Sequence, residues 1–273
     1  MRFDLSFSFS FALAAFSLLS FAEFAESSAT APPDKRSPCK QFSTTFSSSS
    51  DVSSTEGDAP FVAISPEGTY AVTDAGLRLD LQKPQGTVTS DGETNNVLGQ
   101  GATVNSTFIY GVTTFQIEAP SVAGVVVAGI LIADDGDEID VELVCGDPTH
   151  WQTNIFAPQK TDQETIFGVF GGVETFADKS DSLAGLHNYT VDWNEDRIIW
   201  SVDGKAKRTL KPSQTVVNGT EHYPTGLARI SLGIWDASSP VGTSDWGKGP
   251  INWNKAPSTI SATVRGVWLE CSS

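Results

Sequence analysis

The chain has 273 residues, of which 39% are apolar and only 18% charged, with 24 Gly and 14 Pro. That profile fits short strands broken by many turns and excludes a helical bundle or coiled coil. Seventeen Lys and Arg against 33 Asp and Glu leave a net charge of −16, a field that repels phosphate backbones and anionic lipid headgroups and excludes nucleic acid as a partner.

Residues 1–22 read as a secretory signal peptide: Arg2 opens it, an apolar stretch from Leu5 to Leu19 follows, and small residues stand at Ser20 and Ala22. Residues 23–36 read as a short leader rich in Pro and Ala, closed by the dibasic pair Lys35-Arg36, so that the mature chain is expected to begin at Ser37. The expected folded unit is one domain over 37–273. The C-terminal residues Trp268-Leu269-Glu270-Cys271-Ser272-Ser273 carry no apolar tail of the kind a lipid-anchor signal requires, so the expected product is released without a membrane anchor, as a monomer.

Cysteine is sparse. In an oxidising compartment Cys39, Cys145 and Cys271 allow one bridge at most, and Cys39 with Cys271 is the expected pair because terminal strands of an antiparallel sandwich often lie side by side. Three scattered cysteines lack the close spacing of a metal site, and no metal or cofactor is expected. The Ser/Thr-rich stretch 43–55 reads as a first strand and its loop.

Strand follows strand after that. Segments 112–118, 125–132, 138–144, 151–156, 189–193, 198–202 and 228–235 are short, rich in β-branched and aromatic residues, and split by Gly, Pro, Asn and Asp. Asn194-Glu195-Asp196 reads as one hairpin turn and Asp203-Gly204 as the next. Many short strands without helical periodicity predict an all-β, two-sheet antiparallel β-sandwich. Alternation assigns Trp193 and Trp268 to its core and leaves Trp151 and Trp200 open.

The chemistry concentrates in the run Asp137-Glu138-Ile139-Asp140-Val141-Glu142. Alternate residues of a strand share a face, so Glu138, Asp140 and Glu142 point one way while Ile139, Val141 and Leu143 point into the core. Carboxylates spaced by about 6.6 Å raise one another's pKa values and cost stability, a cost that a catalytic role explains. Glu138 and Glu142 have Cα atoms roughly 13 Å apart, and side chains leaning together bring their carboxyls to about 5–6 Å. A retaining glycosidase needs about 5–5.5 Å between nucleophile and acid/base, whereas an inverting enzyme needs roughly 6.5–9.5 Å to fit a water.

The E-x-D-x-E strand resembles that of glycoside hydrolase family 16, and the wider sequence resembles its fungal cell-wall Crh-type group. Further resemblances are Asp134-Asp135-Gly136-Asp137-Glu138 leading into the strand, Gln152-Thr153-Asn154-Ile155-Phe156, His187-Asn188-Tyr189-Thr190-Val191-Asp192-Trp193, Arg229-Ile230-Ser231-Leu232-Gly233-Ile234-Trp235, and Gly242-Thr243-Ser244-Asp245-Trp246. The resemblance implies a concanavalin A-like jelly roll, with Glu138 as nucleophile, Asp140 as its helper and Glu142 as general acid/base. It also implies that Gln152 and Asn154 hold sugar hydroxyls.

Indole faces pack on the C–H groups of pyranose rings, and Trp235 and Trp246 are the candidates for that contact. His150, His187 and His222 stand apart from one another without a nucleophile motif, which argues against a hydrolase triad. Asn105, Asn188 and Asn218 each begin a glycosylation sequon. The expected function is thus that of a secreted retaining β-glycosidase in the extracellular space or cell wall, acting on β-glucan or chitin with transglycosylation. The alternatives are an endo-β-1,3(1,4)-glucanase acting by hydrolysis and, from another class, a non-catalytic lectin-like module that binds glycan.

Overall fold

A computed structural model describes residues 39–55, 59–84, 102–104 (backbone only), 108–158, 168–176, 178 and 180–271. The expected signal peptide, the leader with Lys35-Arg36, and the sequon at Asn105 lie outside these residues.

The strands are β1 (Phe42–Thr44), β2 (Val52–Ser53), β3 (Phe61–Ala63), β4 (Tyr70–Thr73), β5 (Gly76–Gln82), β6 (Ala102–Val104), β7 (Gly111–Glu118), β8 (Val125–Ala133) and β9 (Glu138–Val144). They continue with β10 (His150–Phe156), β11 (Gly172–Thr175), β12 (His187–Trp193), β13 (Ile198–Val202), β14 (Lys205–Leu210), β15 (Val216–Val217), β16 (Thr220–Glu221), β17 (Ala228–Asp236) and β18 (Thr259–Glu270). A six-residue helix, α1 (Val241–Trp246), lies between β17 and β18.

Period-two patterning sorts all of these strands but β15 and β16, which pair with each other, into two layers. The first sheet runs β14-β13-β12-β7-β18-β5-β4, with β1 paired to β18; the second runs β11-β10-β9-β8-β17-β6-β3-β2. Pairing is antiparallel throughout both sheets except between β2 and β3. Inward-facing side chains of both sheets interdigitate in one core that includes Leu79, Phe115, Tyr189 and Trp200 from the first sheet and Val127, Val141, Trp151 and Ile234 from the second. Sheet separation is locally set by Gly129, since a Cβ there would sit 2.8 Å from the Phe115 ring. A disulfide joins Cys39 to Cys271 with Cα atoms 5.4 Å apart, fastening β1 and the end of β18 together. Cys145 is buried and free, and burial pushes its thiol pKa far up.

Trp193 is in the core as expected, and Trp151 and Trp200 join it. Trp268 is not in the core. A β-bulge between Val264 and Gly266 shifts the register of β18 against β7, so the inward set changes from Ile260, Ala262 and Val264 to Val267 and Leu269. Simple alternation carried across that bulge puts Trp268 on the wrong side. Its indole lies on the outer face of the first sheet, half-buried.

Candidate active site

On β9 the alternation is as expected. Ile139, Val141 and Leu143 are buried in the core, and Glu138, Asp140 and Glu142 face outward from the second sheet. Antiparallel register then builds rows across the strands. Beside Glu142 lie Gln152 of β10 and Ala128 of β8; beside Asp140 lie Asn154 and Ile130; beside Glu138 lie Phe156 and Ile132. Although this face points away from the core, Asp140 and Ala128 are each 1% exposed, so the carboxylates sit on the floor of a recess.

Tryptophans close one end of that floor. Trp235 of β17 stacks on Trp246 of α1, with ring centroids 5.8 Å apart and planes inclined by 18°, and both pack on Val126 and Val144. The Nε1–H of Trp246 donates to Gln152 Oε1 at 2.9 Å, tying the indole to the row of Glu142. Trp235 is 8% exposed, so it supports Trp246 from below more than it offers a sugar platform of its own. Trp246 is half-buried and borders the recess.

The backbone of β9 is pinned from two sides. From the core, Trp200 donates its Nε1–H to the main-chain oxygen of Asp140 at 3.0 Å, while the Arg208 guanidinium covers the other side of that indole at 4.8 Å. Arg208 also donates to the Thr153 hydroxyl at 2.7 Å and to the Phe170 carbonyl, bridging β14 to the recess sheet. At the head of β9, the Asp137 carboxylate accepts from the backbone N–H groups of Thr225 at 2.6 Å and Gly226 at 2.8 Å. Sequence reasoning assigned neither Asp137 nor Trp200 a role. The partners of Asp137 stand 88 and 89 residues further along the chain, and no local pattern announces them.

Burial and mutual charge set the protonation of the three carboxyls. Among the described residues no N–H or hydroxyl donates to either carboxyl oxygen of Asp140, which faces Glu138 and Glu142. Burial first, then the charges of Glu138 and Glu142, raise its pKa well above the carboxylate range. That rise favours the protonated form of Asp140, whose O–H can donate to Glu138. Burial also raises Glu138, and the hydrogen bond from Asp140 opposes that rise. Glu142 is pushed up to about 8, by burial first and by the charge of Glu138 second. Burial and mutual charge thus raise all three carboxyls, while the contact with Asp140 opposes the rise at Glu138 alone, the kind of asymmetry from which acid and base roles are made.

Asn154 sits beside Asp140 with its Oδ1 buried and without a hydrogen-bond partner. The three histidines are engaged elsewhere: His150 with Asp147, His187 with Asp203, and His222 with the Ala157 carbonyl. Asp181, His187 and Asp203 bring ligand atoms within 4.8 Å of one another. Both His187 nitrogens are already taken there, Nδ1 by Asp203 at 2.7 Å and Nε2 by the Ser182 carbonyl at 3.1 Å.

The family model for glycosyl hydrolases family 16 matches residues 60–255. The chain belongs to that family. It is 38% identical over 173 residues to Crh-like protein 2 of Aspergillus fumigatus, covering 59% of this chain and 37% of that protein. It is 37% identical over 160 residues to Congo red hypersensitive protein 1 of Saccharomyces cerevisiae, covering 57% and 29%. With Crh-like protein 5 of Aspergillus fumigatus it shares 30% over 247 residues, covering 88% of this chain and 54% of that protein. The chain therefore spans about half or less of the length of these curated relatives. Among solved structures it resembles the apo Crh5 transglycosylase with a TM-score of 0.68 and 26% identity over 90% of each chain. The Crh5 transglycosylase in complex with NAG gives 0.66 at 25% identity, covering 86% of this chain and 85% of that one. A Bacillus licheniformis beta-glucanase, at 18% identity, 0.62, and coverage of 85% and 98%, shares the fold. Membership of the family makes the domain that of a glycoside hydrolase or transglycosylase.

Proposed function

We propose that the protein is a retaining transglycosylase of cell-wall β-glucan or chitin, with Glu138 as nucleophile, Asp140 as its helper and Glu142 as acid/base. The observation that carries this reading is the placement of three carboxyls on one outward face of β9 in a buried recess: burial pushes Glu142 up to about 8, which favours the protonated acid at neutral pH, and the hydrogen bond from Asp140 favours the charged form of Glu138.

In the first step a Glu138 oxygen bonds the anomeric carbon, the glycosidic C–O bond breaks, and Glu142 gives its proton to the departing oxygen. The second step reverses the roles. Glu142 takes the proton of an acceptor hydroxyl, whose oxygen bonds the anomeric carbon as the bond to Glu138 breaks. An acceptor that occupies the recess outcompetes water. Trp246, fixed to Gln152, and the free Oδ1 of Asn154 supply a stacking face and a hydrogen-bond acceptor for sugars. The similarity to a Crh5 transglycosylase bound to NAG supports an amino-sugar polymer as one partner of the transfer.

The same reading has residues 1–22 as signal peptide and residues 23–36 as a leader removed after Lys35-Arg36, delivering the domain 37–273 outside the cell. N-terminal sequencing of the secreted protein should begin at Ser37; a start at Glu23 or Glu26 would reject the second cut.

A fluorescent oligosaccharide acceptor supplied with unlabelled β-glucan or chitin tests the activity. Fluorescence should move into high-molecular-weight polymer and depend on Glu138. Its absence alongside brisk release of reducing ends would favour an endo-glucanase that hydrolyses. Retained glycan binding with neither product would leave a lectin-like module.

A further inference from the structure

The outer face of the first sheet carries an aromatic that neither the core nor the recess uses. Trp268 reaches back over Gly266, where a Cβ would stand 2.4 Å from the tip of the indole's six-membered ring. Only glycine admits the ring tip there, and the indole stays partly exposed on the outer face of the sheet. Gly266 pairs with Gln116 of β7, and Gln116 pairs with Asn188 of β12, so indole, amide and asparagine stand in one row across three strands. At a strand spacing of about 4.8 Å, Asn188 and the indole tip are roughly 10 Å apart.

Asn188 opens the sequon Asn188-Tyr189-Thr190 and faces outward, half-buried. Its Oδ1 accepts from Gln116 Nε2 at 3.1 Å, whereas its Nδ2 donates no hydrogen bond among the described residues. Modification at Nδ2 therefore leaves the existing contact intact. Around the row stand hydroxyls suited to sugars, with Thr114 and Thr190 bonded to each other at 3.0 Å and Ser43 paired beside Trp268.

We propose that Asn188 carries an N-linked glycan whose first sugars cross Gln116 and stack on Trp268. The attachment transfers an oligosaccharide from a lipid-linked pyrophosphate donor. The bond between Nδ2 and the sugar C1 forms, the C1–O bond to pyrophosphate breaks, and Nδ2 gives up one proton. Pyranose C–H groups then cover the exposed part of the indole, as apolar faces of sugars do on tryptophan. The inference rests on secretory routing, not on the catalytic reading. The sequon at Asn218 offers the contrast: it is exposed at the tip of the β15–β16 turn with φ 51°, and the flanking strand residues Val216, Val217, Thr220 and Glu221 include no aromatic.

The test uses the full chain secreted by a eukaryotic host. Peptide mass spectrometry should find hexosamine-containing glycan on Asn188. Enzymatic trimming of the glycan should lower the melting temperature by about 2–4 °C and increase acrylamide quenching of tryptophan fluorescence. Neither change should follow trimming in Trp268→Ala, and both should persist in Asn218→Gln. Transfer activity should be the same in Asn188→Gln as in the parent. An Asn188 peptide found only unmodified in the secreted protein overturns the proposal, as does trimming that acts equally on Trp268→Ala and the parent. Quenching of Trp268 by free chitin or glucan oligosaccharides in protein bare at Asn188 would also overturn it, in favour of a bound polymer.

Discussion

The two outward faces of the sandwich are built from the same alternation and use their polar groups in opposite ways. On the first sheet they satisfy one another: Thr114 with Thr190 at 3.0 Å, Gln116 with Asn188 at 3.1 Å, and Arg78 with Asp80 at 2.9 Å. On the second sheet Asn154 Oδ1 lacks such a partner among the described residues, Asp140 faces only the neighbouring carboxyls, and Glu142 stands between Ala128 and Gln152 with its pKa raised by burial. Buried polar groups left without partners cost stability. That a fold retains them on one face and pairs them on the other marks the unpaired face as the working one.

The sharpest break of this contrast is Glu138→Ala. Activity should fall by several orders of magnitude, and a small anion such as azide should restore turnover with inverted product. Loss without rescue would count against Glu138 as the attacking group. Next comes Glu142→Ala, with about 10²–10⁴-fold loss on polysaccharide but little on substrates whose leaving group needs no protonation. In the parent, kcat/KM should decline as pH rises through about 8, because Glu142 must be protonated for the first step. That alkaline limb should vanish in Glu142→Ala.

Asp140 sharpens the comparison through pH. Its hydrogen bond lowers the pKa of Glu138, so Asp140→Ala should move the acid limb to higher pH. Asp140→Asn retains an N–H donor and should move it less, with a smaller loss than Glu138→Ala. An unchanged acid limb in Asp140→Ala would remove Asp140 from its helper role.

Stability should answer in the opposite sense to activity. The folded pKa of Glu142, about 8, lies above its unfolded value of about 4.3, so the folded state is favoured at low pH and loses stability as pH rises through 8. Glu142→Gln removes that loss. Its melting temperature should match the parent near pH 4 and exceed it by a few degrees at pH 8.5. The smallest effect belongs to the paired face: Thr114→Val combined with Thr190→Val removes both hydroxyls of one bond and should change stability by about 1 kcal/mol or less with activity unchanged.

Much of this was legible in the chain. The segments 112–118, 138–144 and 198–202 read as strands because β-branched and aromatic residues alternate between turn residues, and those strands are β7, β9 and β13. The outward set Glu138, Asp140 and Glu142 followed from period two alone. Three things did not follow. The bulge in β18 that turns Trp268 outward leaves no mark that alternation can detect, since Gly266 and Trp268 must be known to touch. The burial of Trp235 depends on α1 folding back over β17, a long-range contact. Asp137 looks like one more acid in an acidic run until the Thr225 and Gly226 backbone arrives above it.

The most direct test of the central claim is the stereochemistry of the new bond. Proton NMR of the product formed on an oligosaccharide acceptor, followed from the first turnover, reports whether the donor's β configuration is kept. Double displacement through Glu138 yields a β-linked product, and 2-deoxy-2-fluoro glycoside labelling should place the trapped sugar on the Glu138 peptide. An α-configured first product, or a label carried by another residue, would contradict the assignment.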